Sequence, residues 1–325
     1  MKVIPIPQSK RFNTISYQQN PVHTLLKQEY DTVSFGAAFV DPPSINISGD
    51  YNKNGNRHLT ELIASGSVNV DSLEVDETLK TGTFLKANSL QALVADIGSH
   101  ARVENSLSAE TLTTGSWLEA RELNTQNANI GDYAHITGKV TAEKLTTSTF
   151  FEAGELDAQT VMIGESAKIT GKAKATLLVA GNYLQAEELD VIFARIKKHA
   201  QITGKAKAES LFVDGDLNIG STDIRTIVSR GDVRFKDIIR LDKLTIADNF
   251  PNPTKNLTRT LLFDSANIIP EKIKIVLGNI QELVIHTVDK SILNKLEFFH
   301  QNAVAEGGIG EKLLPEAIER LVKFI

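Results

Sequence analysis

Ile136-Thr-Gly-Lys-Val-Thr-Ala-Glu-Lys-Leu145-Thr-Thr-Ser-Thr-Phe-Phe151-Glu-Ala-Gly-Glu-Leu156-Asp-Ala-Gln-Thr-Val161-Met-Ile-Gly-Glu-Ser-Ala-Lys168 is one unit of an array that runs from Val70 to Arg234 without insertion or deletion. Its period, the step from Ile136 to Ile169, is ~33 residues, within the range of known repeat architectures. Leu79, Leu112, Leu145, Leu178 and Leu211 share one column of this array, and Val70, Val103, Ile136, Ile169 and Ile202 share another. The blocks Ile136-Thr-Gly-Lys, Ile169-Thr-Gly-Lys and Ile202-Thr-Gly-Lys are nearly identical. A period held this strictly marks a chain built by stacking one supersecondary unit on the next.

The stacked unit is not helical. Core-type residues between Ile136 and Lys168 fall two, three, four or six positions apart, with a run of alternating twos and threes that no helix face reproduces, and the Thr-Pro-Leu-His signature of an ankyrin repeat of similar length is missing. Frequent Thr and Gly favour short strands separated by tight corners. The unit also divides into two halves, ~16 and ~17 residues long, that match each other as sub-repeats do. Val140 matches Leu156, Ala142 matches Ala158, Leu145 matches Val161, and Phe151 matches Ala167. One coil of that length holds three short strands and three corners, with consecutive coils ~4.8 Å apart as parallel strands. The fold class is mainly β: a single-stranded parallel β-helix, or β-solenoid, of triangular section, with a small mixed α/β module after it.

Packing accounts for a repeat of two coils. One inner column reads Leu79, Ala95, Leu112, Ala128, Leu145, Val161, Leu178, Ala194, Leu211, and another Leu85, Ala101, Leu118, Ala134, Phe151, Ala167, Leu184, Ala200, Leu217. Two bulky neighbours would collide in a narrow core and two alanines would leave a void, so large alternates with small.

Three regions follow from composition and punctuation. Residues 1–44, with Pro5, Pro7, Pro42, Pro43 and the strand Thr32–Val40, read as an N-terminal capping segment. Residues 45–249 are the solenoid. Residues 250–325 open with Pro251-Asn-Pro253 and continue with a strand pair, Lys272–Leu277 and Glu282–His286, then helices at about 291–300 and 315–325. The stripe Ile318, Leu321, Val322, Ile325 is expected to fold over the end of the solenoid around Leu241, Leu244 and Ile246. The 325 residues carry a formal charge of −5 and no cysteine, which excludes disulfides and thiolate metal sites. No run approaches the length of a membrane span and the start lacks a signal-peptide core, so a cytoplasmic location is expected.

The pattern Ile-x-Gly-Lys-x-x-Ala-x-x-Leu, followed by Ala-x-x-Leu-x-Ala and Ile-Gly-x-x-Ala-x-Ile, is clearest over 136–211 and resembles the bactofilins, bacterial polymer-forming cytoskeletal proteins. The resemblance implies a right-handed β-helix that joins end to end into nucleotide-independent filaments, often at a membrane. Val70-Asp-Ser72 and Val103-Glu-Asn105 depart from the Ile-x-Gly form, and a folded tail replaces the short disordered end of that family.

Two outward ladders are the candidate sites. Phe84, His100, Trp117, Tyr133 and Phe150 follow one another, one per coil; Ser166 breaks the series and Tyr183 and His199 resume it. Such a strip either stabilises itself or docks a partner, a second protomer included. The other ladder, Lys139, Glu155, Lys172, Glu188, Lys205, alternates in sign, so it reads as a self-neutralising edge and not as a nucleic-acid stripe, even with Lys174 and Lys207 nearby.

Catalytic, cofactor and metal signals are thin. Ile-Gly-x-x-Ala-x units at Ile97, Ile130 and Ile163 match single hexapeptides of acyltransferase β-helices. That fold needs coils of ~18 residues in units of six, and the period of this array is not a multiple of six. Gly307-Gly-Ile-Gly310 lacks the following Lys-Ser/Thr of a phosphate loop, and His286 and His300 lack partners at ligand spacing. The expectation is a non-enzymatic scaffolding protein, without cofactor or metal, whose partner is itself or another protein. The alternative is a monomeric solenoid, a bacterial effector or adaptor, that binds a protein through the aromatic ladder or the C-terminal module.

Overall fold

The computed structural model describes residues 44–247, 258–264, 266–278, 280–300 and 312–325. The strand Thr32–Val40, the Pro251–Pro253 break and Gly307–Gly310 lie outside them. Every strand belongs to one parallel sheet that winds into a solenoid of about 12 turns. A coil is a run of extended backbone of 14 or 15 residues, as in Trp117–Ile130, Tyr133–Thr147, Phe150–Ile163 and Ser166–Ala180. Where a coil carries a Thr-Gly corner the ladder register shifts there, between Ile136 and Lys139 for example.

Alternation of the strand sends Ala134, Ile136, Val140, Ala142, Leu145 and Thr147 of one coil inward, and each is at most 7% exposed. The whole Leu79 column is buried, as its periodicity requires. Different columns alternate in opposite phase: Ala134 lies against Phe151 where Ile136 lies against Ala153. Each coil therefore fills its section with a mixture of large and small side chains. In one inner column Thr81, Thr114 and Thr147 bury hydroxyls that have no hydrogen-bond partner.

Glycine fixes one corner. A Cβ on Gly131 would lie 1.7 Å from the carbonyl oxygen of Gly115, and one on Gly115 would lie 1.8 Å from that of Gly98. The backbone of successive coils crosses too closely there for any other residue without a local shift. The turn is closed by the Gly131 N–H donating to the Thr114 carbonyl at 2.9 Å.

Strand and helix content is present beyond residue 250, and its strands extend the same stack. Leu261 stands opposite Val233, Ile285 opposite Leu261, and Phe324 opposite Ile285. On the neighbouring face Ile275 stands opposite Leu244 and Phe298 opposite Ile275. Ile273–Leu277 and Glu282–Thr287, expected to pair with each other, pair instead with rungs on either side of them. Their alternating apolar residues are inward positions of a coil, a role that a short strand's pattern does not distinguish from a hairpin. The helix expected at 291–300 is a 3-10 turn, Lys290–Lys295, capped by Asp289, followed by the strand Leu296–His300. Leu296 and Phe298 point inward there with two-residue spacing. The last helix spans Pro315–Leu321; Ile318 and Leu321 rest on the core, Val322 is buried in the following strand, and Ile325 is exposed. Leu244 and Ile246 are covered by the tail through strand addition, and Leu241 is buried beside them.

Candidate functional site

The aromatic ladder sits where alternation puts it: Phe84, His100, Trp117, Tyr133, Phe150, Ser166, Tyr183 and His199 stand opposite one another in register on one outer face. The structure brings three of them into ring contact. Trp117 and Tyr133 stack at 4.1 Å between centroids and 26° between planes, and Tyr133 and Phe150 at 5.1 Å and 6°. These distances are the rung spacing itself, so the backbone presets the stack without further ordering of the rings. Trp117 heads the triad with 40% of its surface exposed, whereas Leu118, Ala134 and Phe151 beside the rings face the core. Phe84 and His100 occupy the two preceding rungs. Tyr183 lies beyond Ser166 and donates its hydroxyl to Gln201 at 2.7 Å, which ties the far part of the column into a polar edge.

The adjoining outer column is charged. Glu152 receives Lys168 Nζ at 2.6 Å on one oxygen and meets His135 Nδ1 at 3.2 Å on the other. The Lys168 hydrogen bond holds the Glu152 carboxyl below its usual range against the opposing effect of burial, and the same bond raises Lys168. Partial burial, then the Glu152 charge, raises the Tyr133 hydroxyl. A carboxylate kept ionised in this way is a fixed anion at the margin of an apolar strip. It orients a contact and is not poised to exchange a proton at neutral pH.

The alternating-charge ladder keeps its register, Lys139 opposite Glu155 and Lys172 opposite Glu188. Its Lys172 instead reaches diagonally to Asp190 at 2.8 Å, and Lys174 meets Asp157, its direct register partner in a neighbouring column, at 3.1 Å. Lys174 and Lys207 belong to a second alternating column, Asp157, Lys174, Asp190, Lys207, Asp223, Arg240, so the basic residues that resembled a stripe are interleaved with carboxylates.

Two features were not legible from the repeat. One is a groove of about 1390 Å³ that follows the solenoid along the bend containing Glu143, with Ala92, Ala109, Ala142 and Ala158 in its floor. Its floor residues count as core in the sequence, and only the recessed bend makes them a surface. The other is a group of His58, Glu74 and Asp76 at the N-terminal end of that groove, with ligand atoms within 4.8 Å of one another and all three residues exposed. Adjacent coils bring these together, with His58 Nε2 at 2.8 Å from Asp76. No helix among the described residues is long and apolar enough to cross a membrane. Comparison of the chain with protein-family models, with curated proteins and with solved structures yields no match.

Proposed function

We propose that this β-solenoid is a non-enzymatic scaffolding protein that self-associates laterally, edge to edge, through the strip centred on Trp117, Tyr133 and Phe150. The observation that carries this reading is the stacked triad on an outer face, with Trp117 40% exposed at its head and Tyr133 and Phe150 half-buried behind it. Tryptophan and tyrosine on a rigid edge offer large contact area at little entropic cost, and the fixed Glu152 and Lys168 supply a polar rim. The likeness of the repeat motifs to bactofilins supports self-association as well, and with it a cytoplasmic location and a peripheral membrane contact.

A second reading is favoured by the C-terminal end. Lys312 bridges Phe299 in antiparallel sense and the Leu313 N–H donates to Phe298 at 2.9 Å, so Leu296–His300, the last parallel strand of its face, already has a neighbour on its outer side. An end occupied in this way favours a monomeric binding protein that offers the same strip to a different protein. Sedimentation velocity across a wide concentration range separates the two. The scaffold reading expects concentration-dependent association that Trp117→Ser, Tyr133→Ser and Phe150→Ser together abolish while the far-ultraviolet spectrum is kept. A wild-type chain that stays monomeric throughout sinks self-association and leaves the monomeric reading. Trp117 emission that is blue-shifted and shielded from quencher in that monomer sinks the strip as a docking surface in both.

A further inference from the structure

The groove is charged in two different ways along its length. Its C-terminal half interleaves Lys174, Lys207, Arg225 and Arg240 with carboxylates, whereas the half between Glu74 and Gln159 is lined by Glu74, Asp76, Glu110, Glu143 and Asp157 and by no lysine or arginine. Within that half Glu110 and Glu143 stand on the same wall, on either side of the rung that carries Gln126. Both are exposed, and among the described residues neither forms an ion pair. Two rungs of parallel strand place these carboxylates ~9.6 Å apart. The facing wall presents Gln91, Ser108, Asn124 and Thr141, all able to donate hydrogen bonds, across a floor of Ala92, Ala109, Thr125 and Ala142.

We propose that this half-groove docks a polypeptide segment in the polyproline II conformation with a lysine or arginine at every third position. Such a helix turns once in three residues and rises ~9.3 Å per turn, so a cation on each turn meets a carboxylate on every second rung. A fully extended strand repeats a side chain on one side every ~6.8 Å, and an α-helix regains a face after about seven residues, ~10.5 Å; both drift out of step sooner. Polyproline II also leaves its carbonyls without internal partners, which suits a wall of amides and hydroxyls. The small floor residues Ala109, Thr125 and Ala142 give pyrrolidine rings room.

The test uses the full chain and labelled peptides followed by fluorescence anisotropy at low salt. One peptide repeats Pro-Lys-Pro about five times; a second has the same composition with its lysines gathered at one end; a third is helical with lysine at every seventh position. The periodic proline peptide is expected to bind roughly three- to ten-fold more tightly than the other two, the range two exposed ion pairs supply. Glu110→Gln with Glu143→Gln should erase that preference without changing the circular dichroism spectrum, and Trp117→Ser should leave it intact. Equal binding of the two proline isomers, tighter binding of the helical peptide, no binding of any, or a preference that survives the double substitution overturns the proposal.

Discussion

Lys168 Nζ and Glu152 Oε1 lie 2.6 Å apart on neighbouring rungs, and this bond keeps the Glu152 carboxyl below its ordinary value in the folded chain. Lys172 does the same for Asp190. A carboxyl depressed by folding contributes stability above its unfolded value and loses it as the pH falls through the folded one. Urea unfolding monitored from neutral pH downward should therefore show stability declining below about pH 5. Glu152→Gln and Asp190→Asn together should flatten that decline. Parallel acid profiles for the variant and the parent would remove these two pairs as its cause.

Replacing a buried threonine should make the solenoid more stable. The hydroxyls of Thr81, Thr114 and Thr147 are desolvated without a partner, and valine has nearly the same shape. Thr147→Val is expected to gain about 1 kcal/mol in chemical unfolding, the order of the cost of an unmet buried hydroxyl. A loss of stability would mean that the hydroxyl is satisfied in solution.

Glycine should matter in two distinguishable ways. Gly131→Ala forces a methyl against the Gly115 carbonyl and is expected to cost about 2–4 kcal/mol, because two coils must separate. Gly55→Ala meets nothing within 4 Å but holds φ at +83°, and should cost about 1 kcal/mol. Thermal unfolding of the two variants side by side checks the order. Equal losses would contradict the close crossing at the Gly131 corner.

The large-small order of the core predicts an asymmetric pair of variants. Leu145→Ala leaves a cavity flanked by Ala128 and Val161 and should cost about 2–5 kcal/mol. Ala128→Leu sets three leucines in succession with Leu112 and Leu145 and should cost about 1–3 kcal/mol from overpacking. Combining them leaves the introduced leucine against Leu112 but lets it lean into the space vacated at position 145, so the double variant should be more stable than the sum of the single losses predicts. Strict additivity in urea titrations would argue against direct packing between these rungs.

The repeat made the stack legible because Leu145 and its equivalents recur in one chemical role, and a role repeated five times outweighs local ambiguity. The outer column of Phe84, Trp117 and Tyr133 followed from the same register. Residues 258–324 were harder to read because their rungs are separated by segments of unequal length, so Ile275 and Phe298 take inward places with no period to announce them. The groove was hidden for a different reason. Ala109 and Ala142 are buried by any local measure, at 5% and 7% exposure, and only the bend beside them turns their column into a recess.

Opposite phases in neighbouring core columns have a consequence for how such a chain can grow. Insertion of a single coil among the alternating rungs would set a large residue against a large one in one column and alanine against alanine in the next, at the junction where it entered. Insertion of a full two-coil unit leaves each junction as it was. Within the alternating part of the stack, length along the axis is thus gained without a mismatched junction in steps of two rungs, ~9.6 Å each. An inherited variant of this chain should differ from it by whole steps, as a ratchet does, and the spacing of anything bound along its outer faces would be quantised with it.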